Sequence, residues 1–242
     1  MSSRFIDSLL SADRPLIMEV KRRDAHGNDL FEGRSVADVV ADFEAVGSPC
    51  ISVVTGRWFG GTGDMLREVV EATDRPVLQK DFITRRDQLH SAKSLGASAV
   101  LLTAALLPES SMGTLVTTAL SLGLTPFVEV TTEHEIAAVP EADACVMAVN
   151  NKDITAKERD LGDVERSLGL LPNLERSGTR CPVSASGIDR PEVAARLLGA
   201  GFAGLLIGTS LLRSHSLPDW LAAFDEARRA GAAESLSPLP PA

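Results

Sequence analysis

Eight short apolar runs rich in Val, Ile and Leu recur along the chain, at 16–21, 50–55, 76–82, 97–103, 125–130, 144–150, 181–186 and 203–208. Each is almost continuously apolar until a polar end, the pattern of parallel strands covered on both faces. The stretches between them carry apolar residues at helical spacing. "SVADVVADFEAVG" opens on a Ser N-cap and closes on Gly, and "GDMLREVVEATD" places its apolar residues on one face. "RRDQLHSAKSLGA", "PESSMGTLVTTALSLG" and "DRPEVAARLLGAG" repeat the pattern. A weaker helix is predicted over Asp163 to Leu171, and a last one from near Pro218. Strand-then-helix units of this number predict a single-domain (β/α)8 TIM barrel of the α/β class over 1–230, with a short N-terminal segment. The small-residue, Pro-rich stretch 231–242 is expected to be a disordered tail. A doubly wound open sheet is the runner-up, but it would want a Gly-rich first turn, and "FGGTG" at 59–63 lacks that spacing.

Charge and composition narrow the function classes. A net charge of −9 without a basic run argues against a nucleic-acid binder. It leaves room for an anionic small molecule held by a few placed lysines and backbone N–H groups. Cys50, Cys145 and Cys181 are odd in number, far apart, and lie in or beside apolar runs, as reduced core thiols of a cytoplasmic protein do. No CxxC or Cys/His spacing suggests a metal, and the histidines are scattered. No stretch reads as a secretory signal or a membrane span. Nothing in the sequence fixes an oligomeric state.

In a barrel the reactive side chains sit at the C-terminal ends of the strands. Those ends supply Glu19 and Lys21 from the first run, Lys80 from the third and Glu129 from the fifth. The sixth supplies Asn150 and, just beyond it, Lys152. Glu19 and Lys21 are two residues apart, so a strand points both the same way. The chain has nineteen arginines and only five lysines, yet Lys21, Lys80 and Lys152 all fall at or near strand ends. Lysine offers an ammonium whose pKa responds to burial, which arginine does not. A structural Glu–Lys ion pair is the competing reading, and the two are compatible because buried charges must be paired. The turns "SASGI" and "LIGTSLL" after the last two strands supply small residues and helix N-termini suited to a phosphate.

Taken in order, "IMEVKRR", "ISVVTGRWFGG", "PVLQKDFI", "PFVEV", "AVNNKDI", "SASGI" and "LIGTSLL" resemble the indole-3-glycerol-phosphate synthase family from Leu16 to Arg213. "KDF", "VEV" and "NNKD" are the specific pieces; the last two motifs are shared with other phosphate-binding barrels. The resemblance implies a carboxy-lyase of tryptophan biosynthesis that uses no cofactor or metal. Its small phosphorylated substrate is 1-(2-carboxyphenylamino)-1-deoxyribulose 5-phosphate, closed to an indole with loss of carbon dioxide and water. Lys80 would be the general acid at the substrate carbonyl, and Glu129 would move protons during dehydration. Glu19 would serve as base or electrostatic partner, Lys21 would hold the anthranilate carboxylate, and Asn150 would orient hydroxyls. Phe59, Phe82 and Leu101 would line the aromatic pocket, with Ser186, Gly187, Gly208 and Thr209 around the phosphate and Lys152 beside the substrate.

The chain also departs from that family. Ala185 stands where a glutamate is usual, removing a carboxylate expected to balance the lysines. Asp24 falls in a loop usually reading Ser-Pro-Ser, where a carboxylate would repel an anionic substrate. Gly56 replaces an acidic residue, and Lys152 an arginine. Two other readings therefore stay open: a paralogous cyclase or lyase of a specialised pathway with a different phosphorylated substrate, contacted by His26 in the changed loop, and a non-catalytic phosphate-ligand-binding paralogue.

Overall fold

Alternation within each apolar run decides which side chains enter the centre and which meet the helices. In the computed structural model, which describes residues 3–152 and 162–235, all eight runs form parallel strands. They are β1 (Leu16–Val20), β2 (Cys50–Val54), β3 (Val77–Lys80), β4 (Ala99–Thr103), β5 (Thr125–Val130), β6 (Val146–Asn150), β7 (Cys181–Ala185) and β8 (Gly204–Ile207). Each pairs with the next, and β1 pairs with β8, closing the barrel in chain order. The closing seam pairs Leu16 with Leu205, Ile17 with Leu206 and Met18 with Ile207.

Parity divides the apolar residues into two cores. Ile17, Cys50, Leu78, Phe127, Val183 and Leu206 pack inside the barrel. Their strand neighbours, such as Met18, Ile51, Val128 and Met147, pack outward with the helices. The inward series ends at the C-terminal rim in polar groups: Glu129 follows Phe127 on one face of β5, and Asn150 follows Ala148 on β6.

Ten helices are described: α1 (Arg4–Leu10), α2 (Val36–Ala45), α3 (Gly63–Ala72), α4 (Arg86–Ser94), α5 (Glu109–Ser121), α6 (Glu133–Ala138), α7 (Val164–Arg176), α8 (Pro191–Ala200), α9 (Thr209–Leu212) and α10 (Leu217–Ser235). Ser35 caps α2 in a reciprocal capping box with Asp38. α1 was not separately expected. It buries Phe5, Ile6 and Leu9 into the inner core, with Phe5 edge-on to Phe127 at 6.4 Å between ring centres. It thereby plugs the end of the barrel opposite the C-terminal rim.

Two boundaries differ from expectation. α7 continues past Leu171, through Pro172, to Arg176, because burial of Leu171 and Leu174 outweighs the proline's cost to the helix. α10 runs to Ser235 rather than stopping at 230, since the Ala-rich "AGAAES" propagates a helix well; residues 236–242 lie outside those described. Among the described residues no helix is long and apolar enough to cross a membrane.

Candidate active site

The inward-facing groups at the ends of β1, β3, β5 and β6 meet at the C-terminal rim. Glu19, Lys21, Lys80, Glu129 and Asn150 are all buried there. Glu19 lies between the two lysines: its Oε1 is 3.1 Å from Lys21 Nζ, and its Oε2 is 3.8 Å from Lys80 Nζ. Desolvated charges in contact require this kind of mutual compensation. One carboxylate, Glu19, thus contacts both lysines, while Ala185 supplies none. Ala185 is fully buried at the end of β7, in register with Asn150 and Leu206.

Across the rim, Asn150 donates through Nδ2 to Glu129 Oε1 at 2.8 Å. Its Oδ1 accepts from the backbone N–H of Lys152 at 2.9 Å, which fixes the orientation of the amide. In this structure Asn150 thus positions Glu129, a contact the sequence did not reveal. Its neighbour Asn151, also missed, is fully buried and donates to Ser184 Oγ and the carbonyl of Ser186, each at 3.0 Å. Ser167 on α7 completes the network, donating to Asn151 Oδ1 at 2.7 Å. The network holds the turn after β7, where Ser186 adopts φ 67° and Gly187 φ 68°. A non-glycine residue persists in that region only when its surroundings over-determine it. The paired asparagines of "NNKDI" were visible in the sequence, but their different partners were not; Asp153 and Ile154 of that motif lie outside the described residues.

Two hollows flank the cluster. One, of about 370 Å³, includes Glu19, Lys21, Lys152, Ser186, Gly187, Gly208 and Thr209 among its lining. The other is a small cleft lined by Phe59, Phe82 and Leu101 together with Lys80 and Glu129. Every candidate residue taken from the sequence lines one of these hollows or, as Asn150 does, orients a group that lines one. Lys21 Nζ also lies 5.4 Å from the centre of the Phe59 ring, tying the two compartments together. Trp58, not singled out from sequence, forms the outer lip of the aromatic cleft: 62% exposed, its ring is 4.8 Å from that of Phe82. An aromatic beside Phe59 in a Gly-rich loop was the only hint of it.

Gly208 has a second demand on it. A Cβ there would fall 2.6 Å from Glu19 Oε1 and 3.1 Å from Glu19 Cβ, so the glutamate lies directly against its backbone.

Asp24 corrects an expectation. It is buried, and its Oδ1 accepts from the backbone N–H groups of His26 and Asn28 at 2.8 and 2.9 Å. Its Oδ2 accepts from Asn28 Nδ2 at 2.8 Å and from the guanidinium of Arg213. Burial pushes this carboxyl up, but the hydrogen bonds from Asn28 and His26 and the Arg213 charge outweigh it and leave its pKa below the ordinary value. Asp24 is therefore an ion-paired anchor of its loop rather than a bare charge facing the substrate.

A larger hollow of about 670 Å³ lies at the other end of the barrel, against Arg14, Asp225 and Arg228. Arg14 and Asp225 there are paired with each other, and no strand C-terminus delivers an acid or base to it. The three cysteines are buried away from both rim hollows, and burial pushes the Cys145 and Cys181 thiols up to about 12, which leaves them unreactive. Among the described residues no grouping of His, Cys, Asp and Glu could hold a metal ion.

Comparison with known proteins identifies the chain's relatives. The family model described as "Indole-3-glycerol phosphate synthase" matches residues 2–223. The indole-3-glycerol phosphate synthase of Pyrococcus furiosus is 35% identical over 214 residues, covering 88% of this chain and 92% of that protein. One from Staphylococcus aureus is 33% identical over 207 residues, 85% of this chain and 77% of the relative. Among solved structures, 3-hexulose-6-phosphate synthase from Salmonella typhimurium superposes with a TM-score of 0.68 at 13% identity, covering 89% of this chain and 99% of that one. The tryptophan synthase alpha subunit of Legionella pneumophila gives 0.66 at 12%, covering 95% and 100%. At such identities these two attest to the barrel fold alone.

Proposed function

The chain belongs to the indole-3-glycerol phosphate synthase family, and from that premise we propose that it closes 1-(2-carboxyphenylamino)-1-deoxyribulose 5-phosphate to indole-3-glycerol phosphate, releasing carbon dioxide and water. The observation that carries the reading is the convergence of Glu19, Lys21, Lys80, Glu129 and Asn150, buried and bonded at one rim between an aromatic cleft and the hollow at the turns after β7 and β8.

The ring carbon bearing the carboxylate attacks the ribulose carbonyl, and the protonated Lys80 donates to the oxygen as its charge develops. The carbon–carboxylate bond then breaks; carbon dioxide leaves and its electron pair restores the aromatic ring. In the second stage the new hydroxyl departs as water, taking a proton from an acid, while a base removes the proton on the neighbouring carbon. Glu129, oriented by Asn150, is suited to that transfer, and Glu19, in contact with both lysines, can relay a proton from solvent back to Lys80. Lys21, beside the Phe59 ring, anchors the anthranilate carboxylate, and the apolar cleft favours loss of its charge. The hollow at the Ser186–Gly187 and Gly208–Thr209 turns takes the phosphate.

A steady-state assay of the purified protein with this substrate tests the reading. Turnover is expected, and Lys80→Ala should lower kcat by about 10²–10⁴-fold with little change in KM. Absence of turnover in the parent protein, or unchanged kcat in Lys80→Ala, would overturn it.

A further inference from the structure

Arg213 enters none of the motifs that carry the family resemblance beyond marking their end, yet it is the partner of Asp24, one of the residues that change the loop after β1. From this pairing we infer that Arg213, held in place by Asp24, is a phosphate-recognising and specificity-determining residue of the rim hollow. The inference deepens the proposed function at its phosphate end and rests on that reading for the identity of the substrate.

The two partners are unequal. Asp24 has both oxygens saturated, by two backbone N–H groups, the Asn28 amide and the Arg213 guanidinium, and is buried. It has nothing left to offer a ligand. Arg213 brings five N–H donors, and its side chain is 50% exposed where it lines the hollow. The pair therefore presents donors, not acceptors, to whatever occupies the space.

Placement gives the donors their target. Arg213 directly follows α9, whose first residue is Thr209, and closes that turn with its backbone N–H on the Thr209 carbonyl at 3.0 Å. The guanidinium thus borders the same hollow as the Ser186–Gly187 and Gly208–Thr209 turns. A planar fork held by a carboxylate loses less freedom on gripping phosphate oxygens than a mobile lysine does.

Charge makes the residue necessary as well as available. The hollow is lined by the acids Glu19, Asp24 and Asp189 and by the bases Lys21, Lys152 and Arg213, so its formal charge is balanced. Removing Arg213 would leave Asp24 as an uncompensated anion beside an incoming dianion. An arginine whose only role was to stitch the loop would leave phosphate affinity unchanged once the fold was intact.

Arg213→Ala is expected to raise KM for the phosphorylated substrate by about 10–100-fold with kcat within threefold, the signature of lost uniform binding. The KM for the same compound lacking its phosphate should stay within twofold. Arg213→Lys should recover part of the loss. Asp24→Asn combined with Arg213→Ala should bind better than Arg213→Ala alone, because the stranded charge is gone. Equal rises in KM for phosphorylated and dephosphorylated compounds, or a fall in melting temperature with no change in KM, would overturn the inference. Should Arg213→Ala fail to fold, the lysine variant and the double variant carry the same comparison. Calorimetric titration with inorganic phosphate separates the two claims: weaker binding by Arg213→Ala supports the phosphate contact even if the parent protein does not turn over the proposed substrate, and unchanged binding refutes it even if turnover is normal.

Discussion

At the scale of single residues, Gly208 shows how one position serves two parts of a site. Sequence places it in the phosphate turn, but its missing side chain is also the space in which Glu19 lies, with a Cβ position 2.6 Å from Oε1. Gly208→Ala must push Glu19 away from Lys21 and Lys80, and misplacement of about 1 Å in such a cluster costs on the order of 100-fold in rate. We expect kcat to fall about 10–100-fold in Gly208→Ala, but the same change in a Glu19→Ala background to cost almost no further kcat. A double-mutant cycle on kcat measures this coupling; additive losses would mean that the glycine acts through the phosphate alone. The lysine bias toward strand ends was legible in the sequence because this chain uses arginine for its exposed charge. Asp24 was misjudged because its partner lies 189 residues away, and no local pattern links them.

At the scale of elements, all eight strands were legible because burial on both faces leaves apolar runs with no helical period. The helices were readable where caps and periodicity agreed, as at Ser35 and α2. α1 was not, since seven residues give too few turns for a period, and its role comes from the barrel end that it covers. Phe5 is fully buried against Phe127, so Phe5→Ala should cost about 3–5 kcal/mol, the range for deleting a core aromatic. Urea unfolding is the measurement. The folded fraction should retain its kcat at saturating substrate, because the plug lies at the end of the barrel away from the reactive rim. A proportionate fall in kcat would show that α1 shapes the site as well as the base.

At the scale of the whole molecule, the barrel is closed by a seam of three residue pairs between β1 and β8, and ion pairs brace both ends of β1. Below the seam, Arg14 donates to both oxygens of Asp225 on α10; above it, Arg213 holds Asp24. Neither brace was readable from sequence, because each joins a residue flanking the first strand to the last part of the chain. The hydrogen bonds from Arg14, opposed by burial and helped by its charge, hold the Asp225 carboxyl below the ordinary carboxylate range. A depressed native pKa means that the unfolded chain takes up the proton first. The stabilisation is therefore fully present above the unfolded value of about 3.9, and is lost as pH falls from there through the native value. The pair is partly exposed, so we expect Asp225→Asn to cost no more than about 1 kcal/mol, or about 2–4 °C in melting temperature at pH 7. That deficit should narrow steadily once the pH drops below about 4, as the parent loses the same brace by protonation. Melting curves of both proteins between pH 7 and pH 3 test it, and a gap that stays constant across this range would show that the carboxylate charge at the seam contributes nothing to closure.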